Sequence, residues 1–516
     1  MLVLGDLIER NAWRYPGKTA TVFENTRYTF KEFSERVYRL GNALFDLGLN
    51  KGDAVAYLLP HNMMEVQEII FGTTSVGMVV VPINSRFLTE EIVYLIKKCD
   101  VRALIFEKAY LDLVKSVRLE LKEVKNFVCI GGTPNEGIIN YETLLLQHSP
   151  IQPNVEVDTE DIAALIHTSG TTGKPKEAIW THKSWLAGSR DIVMKFQVTE
   201  KDRLLIVTPC FHIPFIWWNT AIYYTGGMFV VLKEPSPELI LRTIQEEKIN
   251  MFMHFVPATL LRILNFANLA DYDHSTVKYY IYGGAPMPVP ILKRAISALG
   301  NKFMQLYGFT EQAGAVTALP PEDHLIDGTE KEMKRLSSCG KEMPSNDIRI
   351  VNKEGNPAKF GEEGELIARG VNLMKGYWKE PQETANVLKN GWFHTGDTGF
   401  IDEDKYIYIT GRKKDIIISG GENITPKQIE DVIHEHPAVE VVAVIGVPDP
   451  VWVEAVKAIV VLKKGERATE NEIIDFCKAR LAHYKAPKSV DFVDILPTTP
   501  TGKIKKNELR EKYQKK

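Results

Sequence analysis

The chain has 516 residues, a formal net charge of −3 and a pI near 6.5. Such a length is more than one compact core usually holds, so roughly two to four domains are expected. A charge this close to zero gives no reason to expect bulk nucleic-acid binding. The five cysteines lie far apart without a CxxC pair, which argues against a disulfide framework or zinc cluster and favours a reducing cytoplasm.

Two apolar segments raise the question of membrane insertion. Residues 1–4 are too short a run for a secretory signal. Residues 204–232 lack Asp, Glu, Lys and Arg and are long enough to cross a bilayer, but Pro209, Pro214 and Gly226 interrupt them. We therefore predict strand, loop, helix and buried strand here and no transmembrane segment; peripheral membrane contact stays open.

Helix-like and strand-like segments alternate through the first half of the chain. Thr29 and Glu32 form a capping-box pattern before an apolar repeat of helical spacing that stops at Gly48. Helices are then predicted at 64–76 and 90–98, and strands at 54–59, 78–83, 103–106, 229–232, 251–255 and 279–282. This order predicts an α/β fold, a large N-terminal domain of helix-covered parallel sheets.

The pattern changes twice in the second half. Between residues 341 and 410, short strands separated by glycines predict a β-rich subdomain. Beyond Gly411, a helix beginning at Pro426 with Thr425 as its cap, strands at 439–445 and 455–461, and a helix capped by Thr469 predict a small α+β domain. We therefore expect a large N-terminal domain at 1–412 and a small mobile C-terminal domain at 413–516.

Residues 165–178 read LIHTSGTTGKPKEA and follow an apolar, strand-like run at 162–166. Glycines let the backbone approach an anion, hydroxyl groups donate hydrogen bonds, and lysine adds a mobile positive charge. The loop is therefore predicted to hold a polyphosphate. The candidate residues are Thr168, Ser169, Gly170, Thr171, Thr172, Gly173 and Lys174.

This loop differs from a Walker loop in spacing. A Walker loop has four residues before its Gly-Lys pair, whereas only Thr171 and Thr172 separate Gly170 from Gly173. Pro175 also disfavours helical backbone at the residue before it. We expect a loop between two strands.

The loop resembles the phosphate-binding signature of the adenylate-forming superfamily, which includes acyl- and aryl-CoA synthetases, peptide-synthetase adenylation domains and luciferases. The resemblance implies that MgATP activates a carboxylate as acyl-AMP with release of pyrophosphate. It covers essentially the whole chain, because the other motifs of the family follow in order.

Residues 307–311 read YGFTE, follow a predicted strand at 303–306 and resemble the family's Tyr-Gly-x-Thr-Glu motif. The resemblance implies that Tyr307 borders the adenine with Gly308 beside it, that Thr310 contacts a nucleotide phosphate and that Glu311 binds Mg²⁺. A carboxylate suits this ion, which is often held by one or two carboxylates together with substrate phosphates.

Two further segments resemble nucleotide-contacting motifs. Residues 283–286 read GGAP and match the segment that lines the adenine and acyl pocket, so Gly284, Ala285 and Pro286 are candidates. Asp397, at the end of the sequence WFHTGD, is implied to accept hydrogen bonds from the ribose hydroxyls, with Arg412 as the second ribose contact.

The resemblance assigns a hinge and a catalytic lysine to the C-terminal part. Lys414 takes the hinge position, and Gly420 and Gly421 match the loop that shapes the CoA pantetheine tunnel. Lys503, in PTTPTGKI, takes the position of the adenylation lysine. An ammonium about 4 Å from the reacting charges contributes roughly 4 kcal/mol at a surface-like dielectric.

The acyl pocket is predicted from one motif and several bulky side chains. His212 resembles the family's histidine beside the acyl group and is a catalytic candidate, and the other lining candidates are Trp217, Trp218, Phe255 and Val256. Bulky indoles favour a compact short- or medium-chain, cyclic or aromatic acid. Two departures stand out: residues 213–218 lack the family's glycine, and Glu177 replaces a glycine beside the phosphate loop.

These features predict a cytoplasmic acyl-CoA synthetase that uses a carboxylic acid, ATP and CoA, with Mg²⁺ as cofactor. Alternatives are an adenylating enzyme with another acceptor, either a carrier-protein thiol or oxygen as in luciferases, and a nucleotide-binding protein without turnover. The oligomeric state is predicted to be a monomer or homodimer.

Overall fold

The computed structural model describes residues 2–132, 137–168, 175–419, 422–450, 452–499 and 503–514. The strands up to residue 412 are β1 (Thr19–Phe23), β2 (Thr26–Thr29), β3 (Ala54–Leu58), β4 (Val79–Ile83), β5 (Val101–Glu107), β6 (Asn126–Ile130), β7 (Ile139–Asn140), β8 (Ile162–Thr168), β9 (Lys176–Thr181), β10 (Arg203–Ile206), β11 (Met228–Val231), β12 (Met251–Phe255), β13 (Tyr279–Gly283), β14 (Phe303–Phe309), β15 (Gly314–Leu319), β16 (Lys341–Glu342), β17 (Asn346–Val351), β18 (Gly364–Gly370), β19 (Leu388–Lys389), β20 (Trp392–Ile401) and β21 (Ile407–Arg412).

The helices of the same region are α1 (Leu4–Arg14), α2 (Phe30–Asp46), α3 (Glu65–Thr74), α4 (Thr89–Lys98), α5 (Leu111–Val117), α6 (Tyr141–Leu146), α7 (His182–Phe196), α8 (Ile213–Thr225), α9 (Pro237–Glu246), α10 (Pro257–Leu264), α11 (Val289–Leu299), α12 (Glu330–Lys334) and α13 (Pro381–Val387). The C-terminal part contains β22 (Ile417–Ser419), β23 (Glu422–Ile424), α14 (Pro426–His434), β24 (Val439–Asp449), β25 (Val453–Leu462), α15 (Glu470–Lys478), β26 (Ser489–Phe492) and α16 (Lys506–Gln514).

Two large sheets carry the N-terminal part. Among the described residues, one sheet has nine strands in the order β16-β15-β14-β13-β12-β10-β11-β1-β2, and the other has seven in the order β7-β6-β5-β3-β4-β8-β9. Their central strands pair in parallel. The prediction of helix-covered parallel sheets is thereby confirmed.

The other two sheets are smaller and mostly antiparallel. Strands β17 to β21 form the predicted β-rich part, and β22 to β26 form the sheet of the C-terminal part. The short strand β16 lies at the start of the predicted subdomain, but it pairs with β15 of the nine-stranded sheet.

Helix α2 begins as its capping pattern predicts. The Thr29 hydroxyl accepts a hydrogen bond from the Glu32 backbone N–H at 3.2 Å, and the Glu32 carboxylate accepts one from the Thr29 N–H at 2.8 Å. Thr469 and Glu472 repeat this arrangement at α15. The prediction for Thr425 is wrong in part: it occupies the N-cap position of α14, but its side chain makes no capping hydrogen bond.

Residues 204–232 fold as strand β10, helix α8 and strand β11. Helix α8 is apolar on all sides because it is buried, with Phe215, Ile216 and Trp218 inside the largest hydrophobic cluster. Within the described part of the chain, no helix combines the length and apolar character needed to cross a bilayer.

The carboxyl ends of β10, β12, β13 and β14 meet at one edge of the nine-stranded sheet, because these strands are neighbours and parallel. Such an edge is where open α/β sheets bind ligands. Strand β14 is longer than the predicted 303–306, since Tyr307 pairs with Thr317 and Phe309 with Gly314 on β15. The YGFTE motif therefore lies at the end of a strand.

His324 is a buried histidine that contacts this sheet through Tyr282 of β13, and its titration tests the packing there. Its buried ring contacts the Pro320 carbonyl oxygen through Nδ1 at 2.8 Å and the Tyr282 hydroxyl through Nε2 at 2.9 Å. Burial lowers the pKa of His324 from 6.5 to about 4. The unfolded chain thus binds a proton at pH values where the folded chain does not, and stability falls as the pH drops from 6.5 towards 4.

We expect His324→Gln to reduce the loss of thermal unfolding midpoint between pH 6.5 and 4.5, whatever its effect at pH 7. The lowered pKa of His324 corresponds to about 3 kcal/mol of unfolding free energy once the histidine is fully titrated. Differential scanning calorimetry of the wild type, the variant and the exposed-site control His483→Gln measures this. An equally steep acid loss in His324→Gln would contradict the assignment.

Candidate active site

The predicted phosphate loop connects two adjacent antiparallel strands. In this pair, His167 of β8 faces Glu177 of β9, and Thr168 faces Lys176. Thr168 is partly buried at the end of its strand. The remaining loop candidates, Ser169, Gly170, Thr171, Thr172, Gly173 and Lys174, lie outside the described residues.

Glu177, the unexplained residue beside the loop, is fully buried and has a cationic partner. Lys98 of α4 places Nζ 2.7 Å from its Oε2 and also contacts the carboxylate of Glu380. Burial alone would lower the pKa of Lys98, but its hydrogen bonds to the two carboxylates raise it. The negative charge of Glu177 beside the loop is therefore compensated by the positive charge of Lys98.

The turn that follows β14, residues Thr310–Gln312, is held by three residues from two parts of the fold, β9 and the segment after β18. Its three successive carbonyl oxygens accept hydrogen bonds from the Trp180 indole at 2.8 Å, the Met374 backbone N–H at 2.7 Å and the Asn372 side-chain amide at 3.1 Å. Trp180 belongs to β9, so the phosphate-loop sheet directly supports the turn. The backbone that carries Thr310 and Glu311 is thus fixed.

The Glu311 carboxylate accepts a hydrogen bond from the Tyr377 hydroxyl at 2.6 Å. Desolvation in the cleft raises the pKa of Glu311, while the bond from Tyr377 and the positive charge of Arg412 act in the opposite direction. Among the described residues, no group of three or more His, Cys, Asp or Glu is arranged so that it could hold a metal ion by itself. A single carboxylate on this turn fits Mg²⁺ held jointly with substrate phosphates rather than by a protein cage.

The predicted ribose contacts lie together at the end of the β-rich part. Asp397 of β20 pairs with Arg412 of β21, and Asp397 Oδ1 lies 2.8 Å from Arg412 Nε. The Tyr307 hydroxyl donates to the other oxygen of Asp397. Three residues that are up to 105 positions apart in the sequence thus form one polar cluster, where a vicinal diol finds acceptors.

Lys503 is hydrogen-bonded to Thr499 in the C-terminal part. The Thr499 backbone N–H donates to the Lys503 carbonyl oxygen at 2.6 Å, and the Lys503 N–H donates to the Thr499 hydroxyl at 3.0 Å. The surrounding protein and the nearby Arg412 lower the pKa of Lys503, while Asp397 and Glu311 oppose this. The residue itself is solvent-exposed.

On the acyl side, the structure distinguishes the two tryptophans. A Cβ added to Gly314 would lie 3.0 Å from the Trp217 ring, so this indole packs against the segment that directly follows the turn. Trp218 is 1% exposed and packs edge-on against Phe196, with ring centroids 5.1 Å apart. Trp217 therefore lies nearer the turn.

His212 is the N-cap residue of α8, and Val256 is the buried N-cap residue of α10. Both follow carboxyl ends of strands in the crevice. The Phe255 side chain lies outside the described residues.

The GGAP segment follows the carboxyl end of β13. A Cβ on Gly283 would lie 2.3 Å from the Leu306 carbonyl oxygen, so only glycine permits the approach to β14. Gly284 has a φ of +76° and is exposed, and Ala285 and Pro286 come next.

The remaining candidates belong to the C-terminal part. Lys414 lies in a short 3₁₀ turn, Lys413–Asp415, and its side chain lies outside the described residues. Gly420 and Gly421 also lie outside them. The domain boundary and the hinge stay predictions.

Several supporting residues escaped the sequence analysis. Trp180, Asn372, Met374 and Tyr377 hold the turn or its carboxylate, yet they come from β9 and from the segment after β18. No motif marks them. One sequence feature could have indicated that the turn is supported by polar contacts: Gln312, a polar residue directly after the Thr-Glu pair.

Comparison with known proteins identifies the family of the chain. The sequence model described as "AMP-binding enzyme" matches residues 8–378, and the model described as "AMP-binding enzyme C-terminal domain" matches residues 428–503. A feruloyl-CoA synthase of Amycolatopsis sp. is 33% identical over 99% of both chains. The long-chain-fatty-acid–CoA ligase FadD13 of Mycobacterium tuberculosis is also 33% identical, over 99% of this chain and 98% of that protein.

Among solved structures, ATP-bound MatB from Rhodopseudomonas palustris superposes with a TM-score of 0.89 at 28% identity, over 99% of both chains. Apo MatB gives a TM-score of 0.79 at the same 28% identity, over 100% of this chain and 99% of that one. The arrangement seen here is thus closer to the ATP-bound form.

The chain belongs to the AMP-binding enzyme family. It is an AMP-forming acid–thiol ligase, which activates a carboxylic acid with ATP and transfers the acyl group to CoA. The relatives favour this over the alternatives of another acceptor or of binding without turnover.

The buried ion pair between Glu177 and Lys98 can be tested by mutation. We expect Lys98→Met to lower the thermal unfolding midpoint, because losing one partner of a buried ion pair typically costs about 3–5 kcal/mol. Lys98→Met combined with Glu177→Gln should recover most of the loss, since the uncompensated charge is then gone. The exposed neighbour Lys97→Met is the control. A double variant no more stable than Lys98→Met would show that the two residues are not paired.

Proposed function

We propose that this cleft binds MgATP and adenylates a compact, largely apolar carboxylic acid before passing it to CoA. The supporting observations are the polar cluster of Tyr307, Asp397 and Arg412 and the fixed turn that carries Glu311. Lys503 is close enough to these charges for Arg412 to lower its pKa and for Asp397 and Glu311 to raise it.

The first half-reaction joins two anions. A carboxylate oxygen attacks the α-phosphorus of ATP, a bond to that phosphorus forms, and the bond to the bridging oxygen of pyrophosphate breaks. Lys503 and the Thr310 hydroxyl stabilise the negative charge on the α-phosphate oxygens. Glu311 would hold Mg²⁺, which supplies positive charge against the departing pyrophosphate.

The nucleotide is oriented from its other end. Asp397 accepts hydrogen bonds from the ribose hydroxyls, with Arg412 beside it and Tyr307 next to the adenine. The loop from Thr168 to Lys174 holds the β- and γ-phosphates. Because these contacts lie on different elements, the α-phosphate is presented towards the acid in a fixed direction.

The second half-reaction is proposed to follow rotation of residues 413–516 about Lys414. Rotation withdraws Lys503 and brings Gly420 and Gly421 to the acyl-AMP. The CoA thiol then attacks the acyl carbonyl and AMP leaves. The greater similarity to ATP-bound than to apo MatB supports the view that the present arrangement is the adenylating one.

The proposed acid is compact because Trp217 occupies space beside the turn. Its buried indole packs against Gly314, three residues after Glu311. The similarity to a feruloyl-CoA synthase supports an aromatic or cyclic acid, whereas FadD13 is named for long-chain acids. Cytoplasmic location and a monomeric or homodimeric state stay predictions.

Lys503→Ala tests the catalytic role. We expect acid-dependent ATP–pyrophosphate exchange to fall by about two or more orders of magnitude, on the scale of losing a transition-state donor. Thioester formation from supplied acyl-AMP and CoA should remain largely intact. Lys505→Ala, a neighbouring lysine paired with Glu508, is the matched control. Equal losses in both half-reactions would refute the role.

Trp217→Ala tests the acyl pocket. Removing the indole opens space beside Gly314, so kcat/KM should shift from compact acids towards longer ones by about tenfold or more, as one or two methylenes of pocket volume allow. Trp218→Ala is the control, because this indole packs on Phe196. Mass spectrometry of the thioesters from a competing acid mixture measures the shift. An unchanged acid preference in Trp217→Ala with a changed one in Trp218→Ala would reverse the assignment.

A further inference from the structure

A chain of buried polar side chains extends from helix α7 to the Thr310–Gln312 turn. Asp191 accepts hydrogen bonds from the Ser345 hydroxyl at 2.6 Å, the Ser345 N–H at 3.2 Å and the Asn346 side-chain amide at 2.9 Å. Asn346 in turn accepts from Gln312 Nε2 at 2.7 Å. The three linked side chains of Asp191, Asn346 and Gln312 are at most 6% exposed.

This series of polar side chains ends at the backbone of the Thr310–Gln312 turn. Gln312 Nε2 also donates to Asn372 Oδ1 at 3.1 Å, and Asn372 Nδ2 donates back to the Gln312 carbonyl oxygen at 3.1 Å. Gln312 directly follows Glu311, so this double contact fixes the end of the segment that carries Thr310 and Glu311.

The carboxylate of Asp191 determines which group donates and which accepts in each hydrogen bond of this series. An ionised carboxylate only accepts, so the amide nitrogen of Asn346 must face Asp191 and its oxygen must face Gln312. Gln312 must then present its nitrogen to both Asn346 and Asn372. Each amide orientation depends on the one before it.

The same helix approaches the turn at a second point. A Cβ added to Gly188 would lie 2.1 Å from the Ala313 carbonyl oxygen, and Gly188 precedes Asp191 by three residues on one face of α7. A Cβ on Gly370 would lie 2.8 Å from Gln312 Nε2 and 2.5 Å from Asn372 Oδ1. The backbone of α7 thus packs against the residue that follows the turn, and the backbone at Gly370 packs against the polar chain, so neither has much room to rearrange.

We propose that Asp191 is a positioning residue for the adenylation step, acting through Asn346 and Gln312 on the turn that carries Thr310 and Glu311. Helix α7 begins directly after β9, the strand that leaves the phosphate loop. Asp191 therefore also ties the position of the turn to that of the loop. It touches no reacting atom itself.

Asp191→Leu and Gln312→Met test this. Each should lower the kcat of ATP–pyrophosphate exchange by about tenfold or more, because small displacements of catalytic groups are costly. Thioester formation from supplied acyl-AMP should stay within about twofold of wild type. Asp191→Asn should retain most of the activity, since an amide oxygen can still accept from Ser345 and Asn346.

The double variant gives the deciding measurement. If Asp191 acts through Gln312, Asp191→Leu adds no more than about twofold to the loss already caused by Gln312→Met. Asp202→Leu, at a buried aspartate bonded to Thr199 and Asn250, is the control and should lower the thermal midpoint without changing exchange kcat. Multiplicative losses, or an Asp191→Leu defect that Asp202→Leu reproduces, would overturn the proposal.

The inference rests on the proposed adenylation role of the turn, and Glu311→Gln separates the two. Exchange at the wild-type rate in Glu311→Gln would contradict the proposed function. Loss of exchange in Glu311→Gln with normal exchange in Asp191→Leu would contradict the positioning role alone.

Discussion

The candidate active site depends on the fixed backbone of one short turn. Buried carbonyl oxygens need hydrogen-bond partners, and the three of Thr310–Gln312 find theirs on β9 and on the segment around Asn372 and Met374. The turn therefore cannot move without breaking contacts to two other parts of the fold. Thr310 and Glu311 inherit this rigidity, and the crevice at the ends of the parallel strands becomes a site with defined geometry.

Charge compensation is the second constraint. The described carboxylates around the site each have a partner: Glu177 has Lys98, Asp397 has Arg412 and Tyr307, and Glu311 has Tyr377. Lys503 belongs to the C-terminal part, and its pKa responds to the positive charge of Arg412 and to the carboxylates of Asp397 and Glu311. A cleft that brings an anionic acid to an anionic triphosphate needs such cations close by, since desolvation strengthens repulsion as well as attraction.

Local patterns predicted much of this molecule. The alternation of apolar strands and capped helices was sufficient for the parallel sheets, because a periodic apolar face has few ways to be buried. The motifs around Tyr307, Asp397 and Arg412 identified side chains that the fold does bring together. The strand-like run before the phosphate loop and Pro175 near its end also predicted a loop between two strands, which are β8 and β9.

What escaped prediction depends on contacts between distant positions. Glu177 looked anomalous because Lys98, its partner, lies 79 residues earlier. The polar chain from Asp191 to Gln312 joins residues whose local sequences are unremarkable, and only the packing of α7 against the turn makes them neighbours. The end of β14 was placed early because Tyr307 is recruited into the strand by pairing with β15.

The central claim is that the Thr310–Gln312 turn, the Asp397–Arg412 pair and Lys503 surround one nucleotide. A crystal structure with Mg²⁺ and a non-hydrolysable acyl-AMP or ATP analogue tests it most directly. The account predicts the ribose on Asp397, Mg²⁺ on Glu311, and the α-phosphate within hydrogen-bond distance of Thr310 and Lys503. A nucleotide bound elsewhere, or an α-phosphate beyond the reach of both residues, would contradict it.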